Sequence, residues 1–465
     1  MPVNRGHEET VLGSTESLCP ECLKRVGATK VAVADEVYLV KTCPDHGEFR
    51  TVIWRGQPSY RSWEVPRLPD RPPVCATVTN RGCPYDCGLC PEHRQHPCCV
   101  LLEVTSRCNL SCPICFAEAG GSGADPAIGT IEAWYRMLLT AGGPYNIQLS
   151  GGEPTVRDDL PEIVALGRSL GFGFIQLNTN GLRLAEDPCY VQNLKEAGLD
   201  CVFLQFDGTC DDIYLQIRGQ ALLEVKKAAI ARCAEHHLGV VLVPTLVPGI
   251  NTGDLGRIIA LAAKLMPTVR GVHFQPVSYF GRYPRQPDDS GRITIPEVLA
   301  ALERQTGGGI KARDFRPPQA ENSYCSFSGN FLLQEDSRLR AWANSRPGCG
   351  CQPREAAAGA DKARAFVARR WSAAQNAGPD APKTRQAMAG GGNVDALDAF
   401  LSRVEQYSLC VSGMAFQDVW TVDLERLRDC FIQVVSPDGR MIPFCAYNLT
   451  DRQGRGLYRP QRGGR

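Results

Sequence analysis

Three cysteines on one short loop set the frame for this chain. Cys108, Cys112 and Cys115 are spaced C-x3-C-x2-C in Arg107-Cys108-Asn109-Leu110-Ser111-Cys112-Pro113-Ile114-Cys115, directly behind an apolar run at 100–104. Thiolates at this spacing can hold three corners of an iron–sulfur cube. A fourth nearby thiolate would close the cube, but the next cysteine is Cys189. One iron is then left open to a small molecule. The competing reading is a zinc knuckle on the same three residues.

Two further stretches follow. Gly151-Gly152-Glu153-Pro154 stands behind the apolar run 145–149, and Asn178-Thr179-Asn180-Gly181 behind 174–177. Ligand groups at strand C-termini are what a parallel α/β barrel uses. In this order the three motifs resemble those of the radical S-adenosylmethionine (SAM) superfamily. The resemblance implies that Cys108, Cys112 and Cys115 are catalytic and carry a SAM-binding [4Fe–4S] cluster. It implies that Gly151, Gly152 and Glu153 meet the methionyl end of SAM and that Asn178 and Asn180 lie near its ribose. The expected chemistry is reductive cleavage of SAM to a 5′-deoxyadenosyl radical, which activates an sp3 C–H bond. The electron would come from a flavodoxin- or ferredoxin-like donor. One departure is Ile114, where many members carry an aromatic residue; here Phe116 follows the third cysteine instead.

Apolar runs at 100–104, 145–149, 174–178, 201–206, 240–246 and 271–276 predict strands. Patterns of 3.6-residue period at 131–139, 160–170, 190–197, 221–236 and 254–265 predict helices between them. The fold class is therefore α/β, a partial (β/α)6 TIM-like barrel. The expected division is 1–56 as a metal module, 57–99 as linker and auxiliary-cluster segment, 100–306 as the barrel, and 307–465 as a C-terminal auxiliary-cluster region. A mobile insertion is expected over 346–393, which is mostly Ala, Gly, Arg and Pro. Asp207 ends the fourth strand and either faces SAM or substrate or caps the following helix. His273, near the end of the sixth, reads as a hydrogen-bonding residue.

The chain has 22 cysteines in 465 residues. It opens on a polar segment and has no run of roughly 18 apolar residues. A cytoplasmic protein whose thiols are mostly ligands is the expectation. Cys19-Pro20-Glu21-Cys22 and Cys43-Pro44-Asp45-His46 predict a zinc-ribbon or rubredoxin-like site for Zn or Fe, with Cys19, Cys22, Cys43 and His46 as ligands. A second C-x3-C-x2-C at Cys83, Cys87 and Cys90 has local thiols to close it. Cys98 is the expected fourth ligand of this auxiliary [4Fe–4S] cluster, with Cys75 or Cys99 as alternatives. Cys325, Cys410, Cys430 and Cys445 are expected to hold a second auxiliary cluster, against a reading as four buried thiols. The net charge of +1 provides no field for nucleic acid. The basic stretch 364–370, with Trp371, reads as a solvated helix or a peripheral contact with lipid.

The layout from Cys19 to Tyr458 resembles one subgroup most closely, through 19–22, 41–47, 82–93, 103–110, Phe416-Gln417-Asp418 and Pro443-Phe444-Cys445. That subgroup includes tetraether-lipid synthases and 7,8-dihydro-6-hydroxymethylpterin methyltransferases. The resemblance implies C–C bond formation between lipid chains, with methyl transfer to a pterin as the alternative. A non-catalytic iron–sulfur electron carrier is the reading from another class. A lipid substrate needs a long apolar channel; a pterin needs paired hydrogen-bonding side chains.

Overall fold

Val240, Val241, Leu242 and Val243 carry no polar side chain, and all four are buried. Such a run fits a parallel strand covered on both faces. It lies at the centre of the sheet that organises the protein. The computed structural model describes residues 8–120, 123–318, 320–342, 354–373 and 394–459.

The chain begins with an antiparallel meander of β1 (Glu9–Leu18), β2 (Arg25–Val33), β3 (Glu36–Cys43) and β4 (Gly47–Arg55). Alternation along β3 buries Val37, Leu39, Lys41 and Cys43. The buried Lys41 donates to Val419 O at 2.6 Å and to Ser17 Oγ at 3.1 Å. The meander is thereby fastened to a segment almost four hundred residues further on.

A short strand β5 (Arg67–Leu68) leads to the large sheet. Its strands are β6 (Cys99–Thr105), β7 (Asn146–Gly151), β8 (Ile175–Thr179), β9 (Cys201–Gln205), β10 (Gly239–Val243), β11 (Thr245–Leu246), β12 (Val269–Pro276), β13 (Ser326–Leu333) and β14 (Leu339–Ala341). After β15 (Arg354–Glu355), which pairs with β5, come β16 (Ser408–Met414), β17 (Ile432–Val435) and β18 (Met441–Pro443). The order β16-β12-β10-β9-β8-β7-β6-β17 is parallel throughout. Antiparallel β13–β14 and β18 finish the two edges.

The six strands expected from the sequence are β6 to β12, with β11 continuing β10. The barrel is extended on both edges by the C-terminal region, through β16 and β17. Their partners lie far away in sequence, so local periodicity could not place them.

Helices cover the outer face: α1 (Ile128–Thr140), α2 (Leu160–Ser169), α3 (Leu182–Glu186), α4 (Pro188–Glu196), α5 (Asp211–Arg218), α6 (Leu223–Glu235), α7 (Leu255–Lys264) and α8 (Ile295–Gln305). Their apolar stripes, such as Ile131, Trp134, Tyr135 and Leu138 on α1, pack on the outward strand residues. A capping box of Thr294 and Glu297 and Pro296 in the first turn set the start of α8. Gly219, at φ +82°, ends α5.

Part of the expected mobile insertion is ordered. α9 (Ala356–Trp371) lies across the N-terminal ends of the barrel strands. Arg364 donates to Pro97 O at 2.7 Å, Asn146 Nδ2 to Arg364 O at 3.1 Å, and Arg270 Nε to Arg370 O at 3.3 Å. Trp371 packs inside with Phe174, Phe203, Val241 and Val243. The basic, Trp-bearing helix is therefore the floor of the barrel, and its Trp faces the barrel rather than lipid. Cys349 and Cys351 lie outside the described residues. No helix among the described residues is long and apolar enough to cross a membrane.

Candidate iron–sulfur and SAM site

Because the strands are parallel, the loops after β6, β7, β8 and β9 meet at one end of the barrel, opposite α9. The loop after β6 carries Cys108, Cys112 and Cys115. The Leu110 amide points at Cys108 Sγ and the Ala119 amide at Cys115 Sγ, both at 3.4 Å. Burial pushes the Cys108 thiol up to about 11 and raises that of Cys112. Arg282 pins the loop: its Nε donates to Cys112 O at 2.8 Å, and its backbone pairs with Cys115 at 2.9 and 3.0 Å. Phe116 packs on Phe444, with ring centroids 5.7 Å apart.

The glycines of the next loop are required by a close approach. A Cβ on Gly151, at φ +127°, would stand 2.2 Å from Thr105 O, and one on Gly152 2.0 Å from Arg107 O. Only backbone without side chains can lie this close to the cysteine loop. Glu153 is 2% exposed. Its Oε1 accepts from Thr155 N at 3.1 Å and from the hydroxyls of Thr155 and Thr179 at 2.7 Å. Its Oε2 accepts from Asn180 N at 2.6 Å. Burial still leaves the carboxyl above its ordinary range. Asn180 Nδ2 then donates to Asn109 Oδ1 at 2.7 Å, so three loops are bonded in series. Asn178 Nδ2 donates to Ser150 Oγ at 3.3 Å.

Asp207 does not cap α5, and its buried carboxylate is taken up by Arg218. Its carboxylate takes a bidentate pair of bonds from Arg218, at 2.6 and 2.7 Å, and one from Thr245 N at 3.1 Å. Cys210, not Asp207, precedes α5 as its N-cap. Arg218 reaches on to Ile114 O at 3.3 Å. Asp207 therefore touches the cysteine loop through Arg218, as a positioning residue. Arg218, Arg282 and the buried Lys226, which donates to Asn180 O, were missed from sequence. Charged residues inside a 3.6-period apolar stripe, as at Lys226 on α6, are the signal that could have found one of them.

The remaining cysteines fall into groups. Cys19 Sγ and Cys43 Sγ lie 3.7 and 3.5 Å from His46 Nδ1, and Cys22 Sγ lies 4.0 Å from Cys43 Sγ. All four ligand atoms lie within 4.8 Å of one another, compatible with a tetrahedral metal site. Replacing Cys43 with serine is expected to remove one metal equivalent and loosen β1–β4, with labile sulfide content unchanged. Metal analysis beside sulfide assay checks this.

Cys83, Cys87 and Cys90 share a second loop, where Tyr458 OH accepts from Cys87 N at 2.9 Å and donates to Pro84 O at 2.6 Å. The hydrogen bond with Cys83, together with burial, pushes the Cys87 thiol well up. Cys98 does not join them as expected. It precedes β6, where the groups acting most on its thiol are Cys99, Glu321, Arg364 and Asp361. Cys99 points to the other face and packs against the apolar cluster of Cys83 and Cys87. Cys75 is exposed.

Cys325, Cys430 and Cys445 line one cavity of about 20 Å³, with Glu321 and Arg426. Cys410 is not among them. It lies mid-strand on β16, paired with Gly271 and Asn330, its thiol beside Trp371 and Ser412. Burial pushes the Cys445 thiol to about 12. Arg426 Nη2 lies 3.5 Å from Cys325 Sγ.

His273 on β12 is bonded to Ser412 Oγ at 2.9 Å, and burial pulls it down to about 4. The unfolded chain binds this proton between pH 6.5 and 4 and the native one does not. Stability is therefore expected to fall as pH drops through that window, by about 3 kcal/mol from this residue. His273→Asn should flatten that part of the pH–stability curve, measured by denaturant melts.

A parallel barrel with a three-cysteine loop and a Gly-Gly-Glu loop at its C-terminal mouth defines a radical SAM enzyme. The radical SAM superfamily signature matches residues 102–262, and the HMPTM N-terminal zinc ribbon domain matches 11–55. The 7,8-dihydro-6-hydroxymethylpterin dimethyltransferase of Methanocaldococcus jannaschii is 36% identical over 475 residues, covering 94% of each chain. The chain belongs to the family of that dimethyltransferase, within the radical SAM superfamily. Among solved structures, Streptococcus suis SuiB is similar at 14% identity and TM-score 0.37 over 46% of each chain. anSMEcpe with bound AdoMet is similar at 18% identity and TM-score 0.36, over 45% of this chain and 60% of that one. The dimethyltransferase relative favours the methyl-transfer alternative over the joining of lipid chains.

Proposed function

We propose that this chain is a radical SAM methyltransferase acting on a reduced pterin. The single observation that carries the reading is the dimethyltransferase relative, matched over 94% of both chains. A joined pair of lipid tails has no comparable support.

Cys108, Cys112 and Cys115 would hold the SAM-binding [4Fe–4S] cluster. The donor set fits it: two backbone amides aim at the sulfurs, and Arg218 lies beside Cys112. When bound, cluster and SAM supply one-electron C–S cleavage and removal of hydrogen from carbon. The chain's own residues shape the site. Glu153 holds the Gly-Gly-Glu loop against the cysteine loop, and Asn180 ties both to the end of β8. Gly151, Gly152 and Asn178 would line SAM, while Asp207 holds Arg218 against the loop. The C-terminal segment closes over the mouth, where Arg459 holds Glu103 at 2.6 and 3.0 Å.

Cys83, Cys87 and Cys90 on one loop, and Cys325, Cys430 and Cys445 around one cavity, would hold auxiliary clusters. Arg426 supports the latter. It is a partly buried guanidinium whose bonds go to Cys325 Sγ and Ala415 O, so its charge suits an anionic thiolate-ligated group. Cys19, Cys22, Cys43 and His46 would hold Zn or Fe. A small one-electron carrier of the flavodoxin or ferredoxin class would supply electrons in the cytoplasm.

The test is anaerobic. Reconstituted, reduced protein is incubated with 7,8-dihydro-6-hydroxymethylpterin, excess SAM as radical source and candidate methyl donor, and, in a parallel arm, an added reduced-folate one-carbon donor, and products are read by mass spectrometry. A pterin heavier by one or two methyl groups, formed with 5′-deoxyadenosine, is expected. 5′-Deoxyadenosine without methylated pterin would overturn the substrate assignment.

A further inference from the structure

Part of the inner face of the barrel, on β6 to β9, carries polar side chains beside the apolar patch of Phe174, Phe203, Val241, Val243 and Trp371. On β6 to β9 the outward Leu102, Leu149, Leu177 and Leu204 are fully buried. The inward Glu103, Gln148, Asn178 and Gln205 are only partly buried. Helices cover the outer face, so this exposure opens into the barrel.

Two of these strands carry a built hydrogen-bonding edge. Gln176, 3% exposed, donates from Nε2 to Gln148 Oε1 at 2.6 Å. Its own Oε1 is buried without a partner, as is Gln205 Oε1. A buried polar atom left in that state is costly unless a ligand completes it. Two amides joined by one head-to-tail bond leave a free acceptor at one end and a free amide donor at the other. Exchanging O and N in both side chains leaves the same pair. The carboxylate on this face, Glu103, is already neutralised by Arg459.

A ligand that matches is flat and uncharged, with a donor for the free carbonyl and an acceptor for the free amide N–H on one edge. The lactam edge of a pterin, N3–H beside O4, has that pattern. Phe203, the register partner of Asn178, lies on the same inner face, with its ring centroid 5.5 Å from His273 and 5.3 Å from Trp371. Along β8, Gln176, Asn178 and Asn180 rise in steps of about 6.6 Å toward the Gly-Gly-Glu loop. A step of that size suits the span of a fused two-ring heterocycle. With its pyrimidine ring on the glutamines, the substituted ring points at the SAM end. An alkyl chain would leave both amides unpaired.

We propose that Gln148 and Gln176 read the lactam edge of the pterin and thereby set substrate specificity. This rests on the pterin-methyltransferase reading above. The experiment is anaerobic isothermal titration of cluster-loaded protein, in the presence of SAM, with 7,8-dihydro-6-hydroxymethylpterin. Gln176→Leu and, separately, Gln148→Met are expected to raise Kd by about 10- to 100-fold, with iron and sulfide content checking the fold. On unaltered protein, the N3-methyl analogue of the same pterin is expected to bind weaker by a similar factor. Wild-type protein that binds no pterin would end the methyltransferase reading itself. Wild-type protein that binds pterin and its N3-methyl analogue equally would overturn the glutamine assignment and leave that reading standing. Well-loaded variants that bind pterin as tightly as wild type would do the same.

Discussion

Replacing Cys108 with alanine is expected to bring 5′-deoxyadenosine formation down to the no-enzyme background, a loss of at least about 10³-fold. The loop itself has three thiols and no fourth; the next cysteine in the chain, Cys189, is exposed on α4. Losing one corner leaves two ligands for a cube that needs protein sulfur at three. Glu153 does not replace it, because its carboxylate is committed to Thr155, Thr179 and Asn180. Iron content should fall by about four atoms per chain if the other sites load. The Cys19–His46 metal, held on a separate meander, should stay. Product formation that survives in the variant would remove this loop from the chemistry, whereas no product from fully iron-loaded wild-type protein would return the electron-carrier reading to consideration.

Arg218→Leu is expected to destabilise the native state by about 3–5 kcal/mol. Asp207 is 0% exposed and Arg218 5%. Removing the guanidinium strands a carboxylate in the barrel wall with only the Thr245 amide to solvate it. The cysteine loop also loses its anchor at Ile114. The double variant Asp207→Leu/Arg218→Leu should recover much of the lost stability, because no charge is then left unpaired. It should not recover SAM binding, since the anchor is still missing. Chemical denaturation of the three proteins, beside SAM binding, separates the two roles. A single variant as stable as wild type would show that water reaches Asp207 and that the pair is not a buried one.

Much of the barrel was readable because its signals are local. Each of the six strands is a contiguous apolar run. The Gly-Gly-Glu loop needs glycines for reasons that spacing already suggests. What sequence could not supply was adjacency. Cys98 stands close to Cys90 in the chain, yet strand alternation sends it and Cys99 to opposite faces. Cys410 resembled a fourth ligand until β16 took its place beside β12. Nothing in the sequence singles out Arg218, and only the fold shows Asp207 facing it. The low-complexity look of 346–393 hid α9, whose alanines are small because the helix lies flat against the strand ends. Gly239 shows how close that approach is: a Cβ there would stand 2.2 Å from Trp371 O.

β17 sits beside β6, in register from Cys99↔Ile432 onward. The strand that carries the first cysteine loop thus waits for a neighbour made more than three hundred residues later. During synthesis, the open side of β6 is an unpaired sheet edge, which invites intermolecular pairing. The cysteine loop stays reachable over the same interval. Cluster delivery and final closure are thereby ordered in time, with the last stretch of the chain acting as the latch. A chain that ends before residue 432 would keep every ligand of the first loop and still be left with a raw edge, prone to aggregate.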